Sequence, residues 1–151
     1  MQYQFTASSE LEIGKPFTVK IMGENTGKTP ALEIVTYGKT ILSDIEPAPI
    51  PLTNFSPIHS RGILSPGGRD FTFTMNDFIP SFSDYAAYQQ KRNNLYLRGL
   101  ITYRDSAHRP HWTTFCVYHV YGDELSLFKY CERGTDVDPQ NDSDQEDKLG
   151  K

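Results

Sequence analysis

The chain has no long hydrophobic run and few cysteines, and each absence excludes a class of site or protein. No window of its 151 residues approaches the ~18 to 20 consecutive apolar residues of a membrane-spanning helix. The first residues also lack the basic-then-apolar order of a secretion signal. The two cysteines provide no second pair at zinc spacing. We therefore expect a chain that does not itself cross a membrane and binds no zinc through cysteine.

No single sign of charge dominates the body of the chain. The sequence holds 19 acidic and 15 basic residues, but six of the acids and two of the bases lie in residues 135–151, which leaves 13 of each. A neutral body offers no electrostatic attraction to nucleic acid or to an anionic membrane. We predict one domain over residues 1–133 and an acidic disordered tail over residues 134–151.

Aromatic residues, proline and glycine are abundant, and they indicate many strands rather than long helices. Nine Phe, nine Tyr and one Trp provide large surfaces to bury, while ten Pro and eleven Gly separate short apolar runs. Alternating apolar and polar residues predict strands at 3–7, 16–24, 32–42, 71–75, 95–104, 111–121 and 125–131. One short helix is predicted between late strands, capped by Ser83 with Phe82 stapled back near Ala87, and ending at Asn93–Asn94.

Two connections have marked turn chemistry. The stretch from Asn25 to Ala31 reads Asn-Thr-Gly-Lys-Thr-Pro-Ala, in which Asn25 and Gly27 tolerate positive φ and Pro30 pushes Thr29 toward extended geometry. It predicts a shaped connection between two strands. Residues 46–57 carry four prolines and predict an extended crossover between sheets, with a ligand for a proline-reading domain as the alternative.

The two cysteines are placed to face each other. If Asp123 and Glu124 form the tip of a hairpin, opposed residues have numbers that sum to 247, and Cys116 and Cys131 satisfy this relation. Directly opposed Cβ atoms lie about 4.5 to 5.5 Å apart, close enough for a disulfide after modest adjustment. A disulfide would indicate an oxidising compartment, and two buried thiols in a reducing one are the alternative.

The segment around Asp105 is the best candidate for a metal or acid–base site. Asp105, His108 and His111 could share one ion if the turn between them curls back. The favoured interpretation is that Asp105 organises the turn while the histidines lie half exposed. His111 and His119 share a strand face but lie about 26 Å apart on an extended strand, too far to share an ion. We predict no catalytic residue, no cofactor and no metal.

Two stretches carry a resemblance to a known group of proteins. One is Gly14–Pro16 continuing through the Asn-Thr-Gly-Lys-Thr-Pro-Ala turn, and the other is residues 97–105, with Tyr-Arg-Asp, continuing through His-Trp-Thr-Thr-Phe-Cys at 111–116 to Cys131. They frame residues 11–131. With them the chain resembles a group of uncharacterised bacterial proteins, often membrane-anchored, that have an immunoglobulin-like β-sandwich domain.

The resemblance implies an immunoglobulin-like antiparallel β-sandwich with no established activity. In proteins of that group the domain often follows a membrane helix and faces outside the cytosol. The expected function is therefore a non-enzymatic binding or structural module of the bacterial envelope, with a protein partner and no nucleic acid. A periplasmic or cell-envelope location is favoured, and a cytoplasmic one is the alternative. An exposed aromatic patch around Tyr85, Tyr88, Tyr96 and Trp112 would serve that partner, although each of these residues taken alone is more often core or half-buried packing.

Two alternatives belong to other classes. One is a metal-dependent hydrolase that uses Asp105, His108 and His111. The other is a small phage or intracellular inhibitor protein that blocks a partner. Stoichiometric bound metal would favour the first, and retention of the full-length product in the cytosol would favour the second.

Overall fold

Two antiparallel sheets pack face to face, and one short helix connects a strand of each. The computed structural model describes residues 2–48, 57–68 and 71–137. The strands are β1 Gln2–Ala7, β2 Phe17–Glu24, β3 Ala31–Ser43, β4 Pro57–Leu64, β5 Phe71–Phe78, β6 Asn94–Arg104, β7 Pro110–His119, β8 Lys129–Tyr130 and β9 Asp136–Val137, with helix α1 Phe82–Gln89 between β5 and β6. Within these ranges no helix is long and apolar enough to cross a bilayer.

The strand order confirms the predicted all-β sandwich. The first sheet is ordered β1-β2-β5, and the second is ordered β4-β3-β6-β7, with β8 and β9 following one another along the outer edge of β7. Every described pairing is antiparallel. Helix α1 lies between late strands, as predicted.

The core is built from alternate residues of facing strands. Phe17, Val19 and Ile21 of β2 are buried, as their period of two predicted. They meet a second set from the other sheet, namely Ile34, Leu95, Leu97, Ile101, Phe115 and Val117. Full burial of such side chains contributes roughly 1.5 to 3 kcal/mol each, so this interior holds the two sheets together.

The helix begins two residues earlier than the sequence indicated. Ser81 is the N-cap: its hydroxyl accepts from the amide of Asp84 at 3.2 Å, and the Asp84 carboxylate accepts from the amide of Ser81 at 2.9 Å. This reciprocal capping box satisfies two amides that a Ser83 cap would leave unpaired. The predicted staple is also wrong, because Phe82 is 77 % exposed. The helix ends at Gln89, short of Asn93.

The Asn25 turn connects one sheet to the other. It joins β2 of the first sheet to β3 of the second, and its order comes from side-chain hydrogen bonds rather than from positive φ, which neither Asn25 nor Gly27 adopts. The buried Asn25 side chain accepts from the Gly27 amide at 3.0 Å and donates to the carbonyl oxygens of Thr29 at 2.9 Å and Leu64 at 3.1 Å. The side-chain amide group of Asn25 therefore holds this turn against the end of β4. Pro30 follows and leads into β3.

The proline-rich segment is not a crossover between sheets. Its flanking strands β3 and β4 are antiparallel neighbours in one sheet, with Ala31 opposite Leu64 and Val35 opposite Ser60. Strand β4 was not predicted, because its residues show little alternation and Pro57 argues against a central strand. Proline at the first position of an edge strand is compatible with the ladder. Residues 49–56 of the segment, and with them the proposed proline ligand, lie outside the described residues.

The last ribbon keeps the predicted register but has a wider loop. Val117 pairs with Tyr130 and Tyr118 with Lys129, so opposed numbers do sum to 247. The predicted strand at 125–131 is reduced to two residues, because residues 120–128 form successive turns. Pairing also continues past the predicted domain boundary at residue 133, since β9 pairs with β7 at Thr113 and Thr114. The remainder of the predicted tail, residues 138–151, lies outside the described residues.

Candidate functional site

Three loops meet at the end of the sandwich that carries the helix. These are residues 8–16 between β1 and β2, residues 79–93 around α1, and residues 120–128 after β7. The amide of Gly14 donates to the carbonyl of Pro80 at 3.0 Å, and the amide of Ala7 donates to the carbonyl of Leu125 at 2.9 Å. These bonds hold the three loops together as one surface, called here the helix end.

A cavity of about 120 Å³ opens at the helix end. Its polar and aromatic lining consists of Glu10, Tyr85, Tyr88, His119, Tyr121 and Asp123, and we call it the helix-end pocket. Leu11, Phe17 and Leu125 form its apolar wall. A concave site with an apolar base and a few converging polar groups is the usual form of a binding site in a protein.

A buried histidine forms the inner wall of the pocket. His119 is 3 % exposed, and its Nε2 lies 2.9 Å from the carbonyl oxygen of Glu124. Because a carbonyl can only accept, Nε2 carries a proton, and Nδ1 then accepts from the Tyr88 hydroxyl at 2.6 Å. His119 therefore has no ring proton left to donate to a ligand. The Tyr88 hydroxyl donates its hydrogen bond to His119, and its oxygen keeps an acceptor position.

Two aromatic rings form a corner of the pocket. The rings of Tyr88 and Tyr121 are almost perpendicular, at 87°, with centroids 5.5 Å apart. Tyr85 lies one helical turn before Tyr88 and is half-buried in the same lining. Ring faces carry a partial negative potential, so such a corner attracts a positively charged group.

The charges around the pocket are acidic. Burial raises the pKa of the Tyr88 hydroxyl well above its usual range, and the nearby charges of Asp123 and Glu10 raise it further. Oδ2 of Asp123 is buried and has no hydrogen-bond partner within the described ranges. The Lys129 ammonium lies 3.9 Å from that oxygen, beyond hydrogen-bond reach, and its side chain is 51 % exposed. The pocket therefore holds acceptors that lack a full complement of donors.

The Asp105 segment is a closed turn in which the carboxylate is saturated. Oδ1 accepts from the amides of Ala107 and Arg109, both at 2.9 Å. Oδ2 accepts from Nε of Arg109 at 2.7 Å and from Nε2 of His111 at 3.0 Å. An ionised carboxylate has about four acceptor positions, and all four are occupied by these donors. The hydrogen bond from His111 lowers the pKa of Asp105 most, and those from Arg109 and Ala107 lower it further.

This geometry does not assemble the metal triad considered from the sequence. His108 is exposed and adopts a left-handed φ of 61°, while His111 is buried, 4 % exposed, and stacks on Tyr103 with ring centroids 5.3 Å apart. In the part of the chain that the structure describes, no three His, Cys, Asp or Glu side chains are grouped to hold a metal ion. Asp105 organises the turn as expected, whereas the half-exposed position expected for His111 is wrong.

The cysteines meet on the outer face of the second sheet. Cys116 and Cys131 form a disulfide with Cα atoms 5.4 Å apart, and the amide of Cys131 donates to the carbonyl of Cys116 at 3.1 Å. The buried Arg98 is the cross-strand partner of Cys116 and donates to the carbonyl of Pro47. The Glu46 carboxylate accepts from the amides of residues 132 and 133 at 2.6 and 3.2 Å. The disulfide therefore lies within a network of hydrogen bonds that has a structural role.

The predicted aromatic patch is wrong. Tyr88 and Tyr96 are 4 % and 5 % exposed, and Tyr85 and Trp112 are half-buried. Tyr96 packs with the disulfide and Tyr118, on the opposite face of the sheet from Tyr88. Side chains brought by different elements are distributed over different faces, so these four aromatic residues do not form one surface.

Sequence reasoning missed the Tyr88–His119 pair, although one signal pointed to half of it. His119 shares its strand face with Phe115 and Val117, so parity places it in the interior, where a histidine needs hydrogen-bond partners. Tyr88 gives no corresponding signal, because it approaches from a helix 31 residues earlier in the chain.

No protein-family model, curated protein or solved structure matches this chain. The functional assignment therefore rests on the geometry of the helix end and of the disulfide.

Proposed function

We propose that the chain is a non-enzymatic binding module that uses its helix end to hold another protein. The observation that carries this proposal is the combination of a preformed pocket with exposed apolar side chains in the same loops. Ile13 is 46 % exposed, Ile79 is 58 % exposed and Phe82 is 77 % exposed. The bond between Gly14 and Pro80 brings the loops of Ile13 and Ile79 together. Exposed apolar side chains grouped beside a concave pocket are typical of a protein-binding surface.

Site-specific photo-crosslinking tests this surface. A benzophenone amino acid in place of Phe82 should give an adduct of defined mass in the cells that make the protein. The same residue in place of Lys28, which is exposed on the Asn25 turn at the other end of the sandwich, is the matched control and should give none. Adducts of equal yield at both positions, or none at Phe82, would contradict the proposal.

We propose further that the module works in an oxidising compartment, as part of a bacterial envelope protein. The facing cysteines support this, because stable disulfides are rare in the reducing cytosol. Thiols should be blocked in intact cells, and the purified chain then weighed without reduction. A mass with two blocking groups would place both cysteines in the reduced form and would contradict export.

The strand order also supports the immunoglobulin-like assignment and, with it, the proposed kinship to bacterial envelope domains. Immunoglobulin-type sandwiches pair their first, second and fifth strands in one sheet and place the third beside the two late strands in the other. The order β1-β2-β5 against β4-β3-β6-β7 follows that plan except at β4, which lies at the edge of the second sheet, whereas the fourth strand of a constant-type domain lies in the first. An experimental structure with a different order would remove this support.

A further inference from the structure

The side chains of the helix-end pocket offer more acceptor positions than donors, although the hydroxyls of Tyr85 and Tyr121 can donate. Glu10 and Asp123 contribute carboxylates, and the Tyr88 oxygen keeps an acceptor position after donating to His119. His119 has no proton to offer, because its Nε2–H is engaged by the carbonyl of Glu124. No Lys or Arg of the described residues lines the cavity. An anion would meet repulsion here, whereas a cation would find several partners.

The shape of the pocket suits a cation with an alkyl stem. The perpendicular rings of Tyr88 and Tyr121 present a corner to the cavity, and cations pack favourably against such rings. Leu11 and Phe17 provide apolar surface for methylene groups. The volume of about 120 Å³ has room for a few non-hydrogen groups, which excludes a large ligand and admits the tip of a side chain.

Lys129 of the chain itself could compete with a ligand for the Asp123 carboxylate, but it is poorly placed for a hydrogen bond. The ammonium of Lys129 is 3.9 Å from Oδ2 of Asp123, and its side chain is half exposed. An exposed ion pair at this distance contributes little, so an incoming ammonium with direct hydrogen bonds can displace it. The buried oxygen of Asp123 would then gain the donor that it lacks.

We propose that the helix-end pocket receives the ammonium group of a lysine side chain from the protein partner. This inference rests on the proposed function, and it adds the chemistry by which the partner is recognised. Asp123 and Glu10 provide the counter-charge, the Tyr88 oxygen accepts a hydrogen bond, and the Tyr88–Tyr121 corner packs against the charged tip. Because the body of the chain is otherwise balanced in charge, this local acidity distinguishes the helix end from the rest of the surface.

The test is a titration of the full chain with a lysine analogue, followed by amide NMR shifts. N-acetyl-lysine methylamide should give saturable shifts at residues 85, 88, 121 and 123, with a dissociation constant in the millimolar range, as expected for one side chain. The analogue with an acetylated ammonium has the same stem without the charge, and it should not saturate. Equal binding of the two analogues would show a merely apolar cavity and would overturn the inference.

Charge variants with a matched control sharpen the test. Asp123→Asn should weaken lysine binding by about 2- to 5-fold, the contribution of one partly exposed ion pair. Glu10→Gln should weaken it in the same direction and serves if the first variant does not fold. Glu12→Gln removes the same charge two residues away, outside the pocket, where Glu12 pairs with Lys15 at 2.7 Å. An equal loss with Glu12→Gln would assign the effect to general surface charge and contradict the site.

Two further outcomes separate this inference from the proposed function. Choline binding tighter than the lysine analogue would overturn the choice of a lysine side chain. One outcome is that the benzophenone residue at position 82 crosslinks to a partner with a yield that Asp123→Asn leaves unchanged. In that case the helix end binds protein, but the pocket does not bind a lysine side chain. If neither crosslinking nor lysine binding occurs, both proposals fall.

Discussion

The ring of Phe115 lies directly over the backbone of Gly99. The two residues are cross-strand partners in β6 and β7, and a Cβ atom added at Gly99 would overlap three atoms of the Phe115 ring. Phe115 is 1 % exposed and packs with Tyr3 and Phe5 from the first sheet, with ring centroids 6.2 and 5.4 Å away. Glycine is thus required at position 99 because an aromatic ring occupies the space of its side chain.

Gly99→Ala is therefore expected to destabilise the protein by about 1 to 3 kcal/mol, the cost of overpacking a filled core. Urea denaturation measures the change. Gly62→Ala is the control, because a Cβ there meets no atom within 4 Å, and it should change stability by less than about 0.5 kcal/mol. Phe115→Leu in the Gly99→Ala background should recover part of the loss, and strict additivity of the two changes would contradict the contact.

Asp105 is expected to make stability depend on acid pH. Its pKa is lowered in the folded state, chiefly by the hydrogen bond from His111, relative to about 3.9 in an unfolded chain. A lowered folded pKa gives stabilisation that is complete above the unfolded value and is lost as the pH falls toward the folded one. Asp105→Asn should lower the free energy of unfolding by about 2 kcal/mol at pH 7. The difference in unfolding free energy between the variant and the wild type should narrow between pH 5 and pH 2.

Chemical denaturation at several pH values checks this prediction. Asp44→Asn, an exposed aspartate beyond the end of β3, is the control and should keep the wild-type pH slope. A wild-type slope that persists in Asp105→Asn would show that other carboxylates account for the acid sensitivity.

The hydrogen bond between Tyr88 and His119 predicts a loss of stability at alkaline pH, in contrast to the loss at acid pH expected from Asp105. Burial raises the folded pKa of Tyr88 above its ordinary value of about 10, so its stabilising effect is complete below pH ~10 and is lost as the pH rises further. Tyr88→Phe leaves Nδ1 of His119 buried without its donor, which should cost about 1 to 3 kcal/mol at pH 8. The difference from wild type should shrink by pH 11.

Thermal unfolding at pH 8 and pH 11 gives the comparison. Tyr118→Phe is the control, because Tyr118 packs on the other face of β7 against Tyr96, with ring centroids 5.4 Å apart. If Tyr88→Phe and Tyr118→Phe lose equal stability at pH 8, the hydrogen bond to His119 is not the source.

The local sequence pattern was sufficient to predict the structure where alternation within a single strand determines which side chains are buried. The period of two placed Phe17, Val19 and Ile21 in the core without reference to any partner strand. The cysteine register also held, because the sum of 247 depends on the centre of the loop and not on its width. A hairpin loop can widen symmetrically without moving Cys116 away from Cys131.

Strand pairings and contacts that depend on distant parts of the chain could not be predicted from the local sequence. Strand β4 pairs at the edge of a sheet, where Pro57 is tolerated although its residues do not alternate. Strand β9 depends on the free edge of β7 beyond the disulfide. The pocket depends on α1 packing against the end of β7, which brings Tyr88 to His119 across 31 residues. Such contacts are products of the assembled sandwich: parity places His119 in the interior, but no pattern in either segment indicates which partner it meets.

The disulfide is expected to hold the last ribbon onto the sheet. It closes a loop of 15 residues, for which the entropy of the unfolded chain predicts a contribution of about 3 kcal/mol. The Thr135 hydroxyl also lies 3.2 Å from the amide of Cys116, so β9 begins beside the bridge. The double variant Cys116→Ser with Cys131→Ser should lose about 3 kcal/mol and exchange the amides of residues 135–137 faster, as measured by urea denaturation and hydrogen exchange. Amides at the distant β1–β2 pairing, such as Ile21, are the internal control, and uniform acceleration there would point to global unfolding instead of local release.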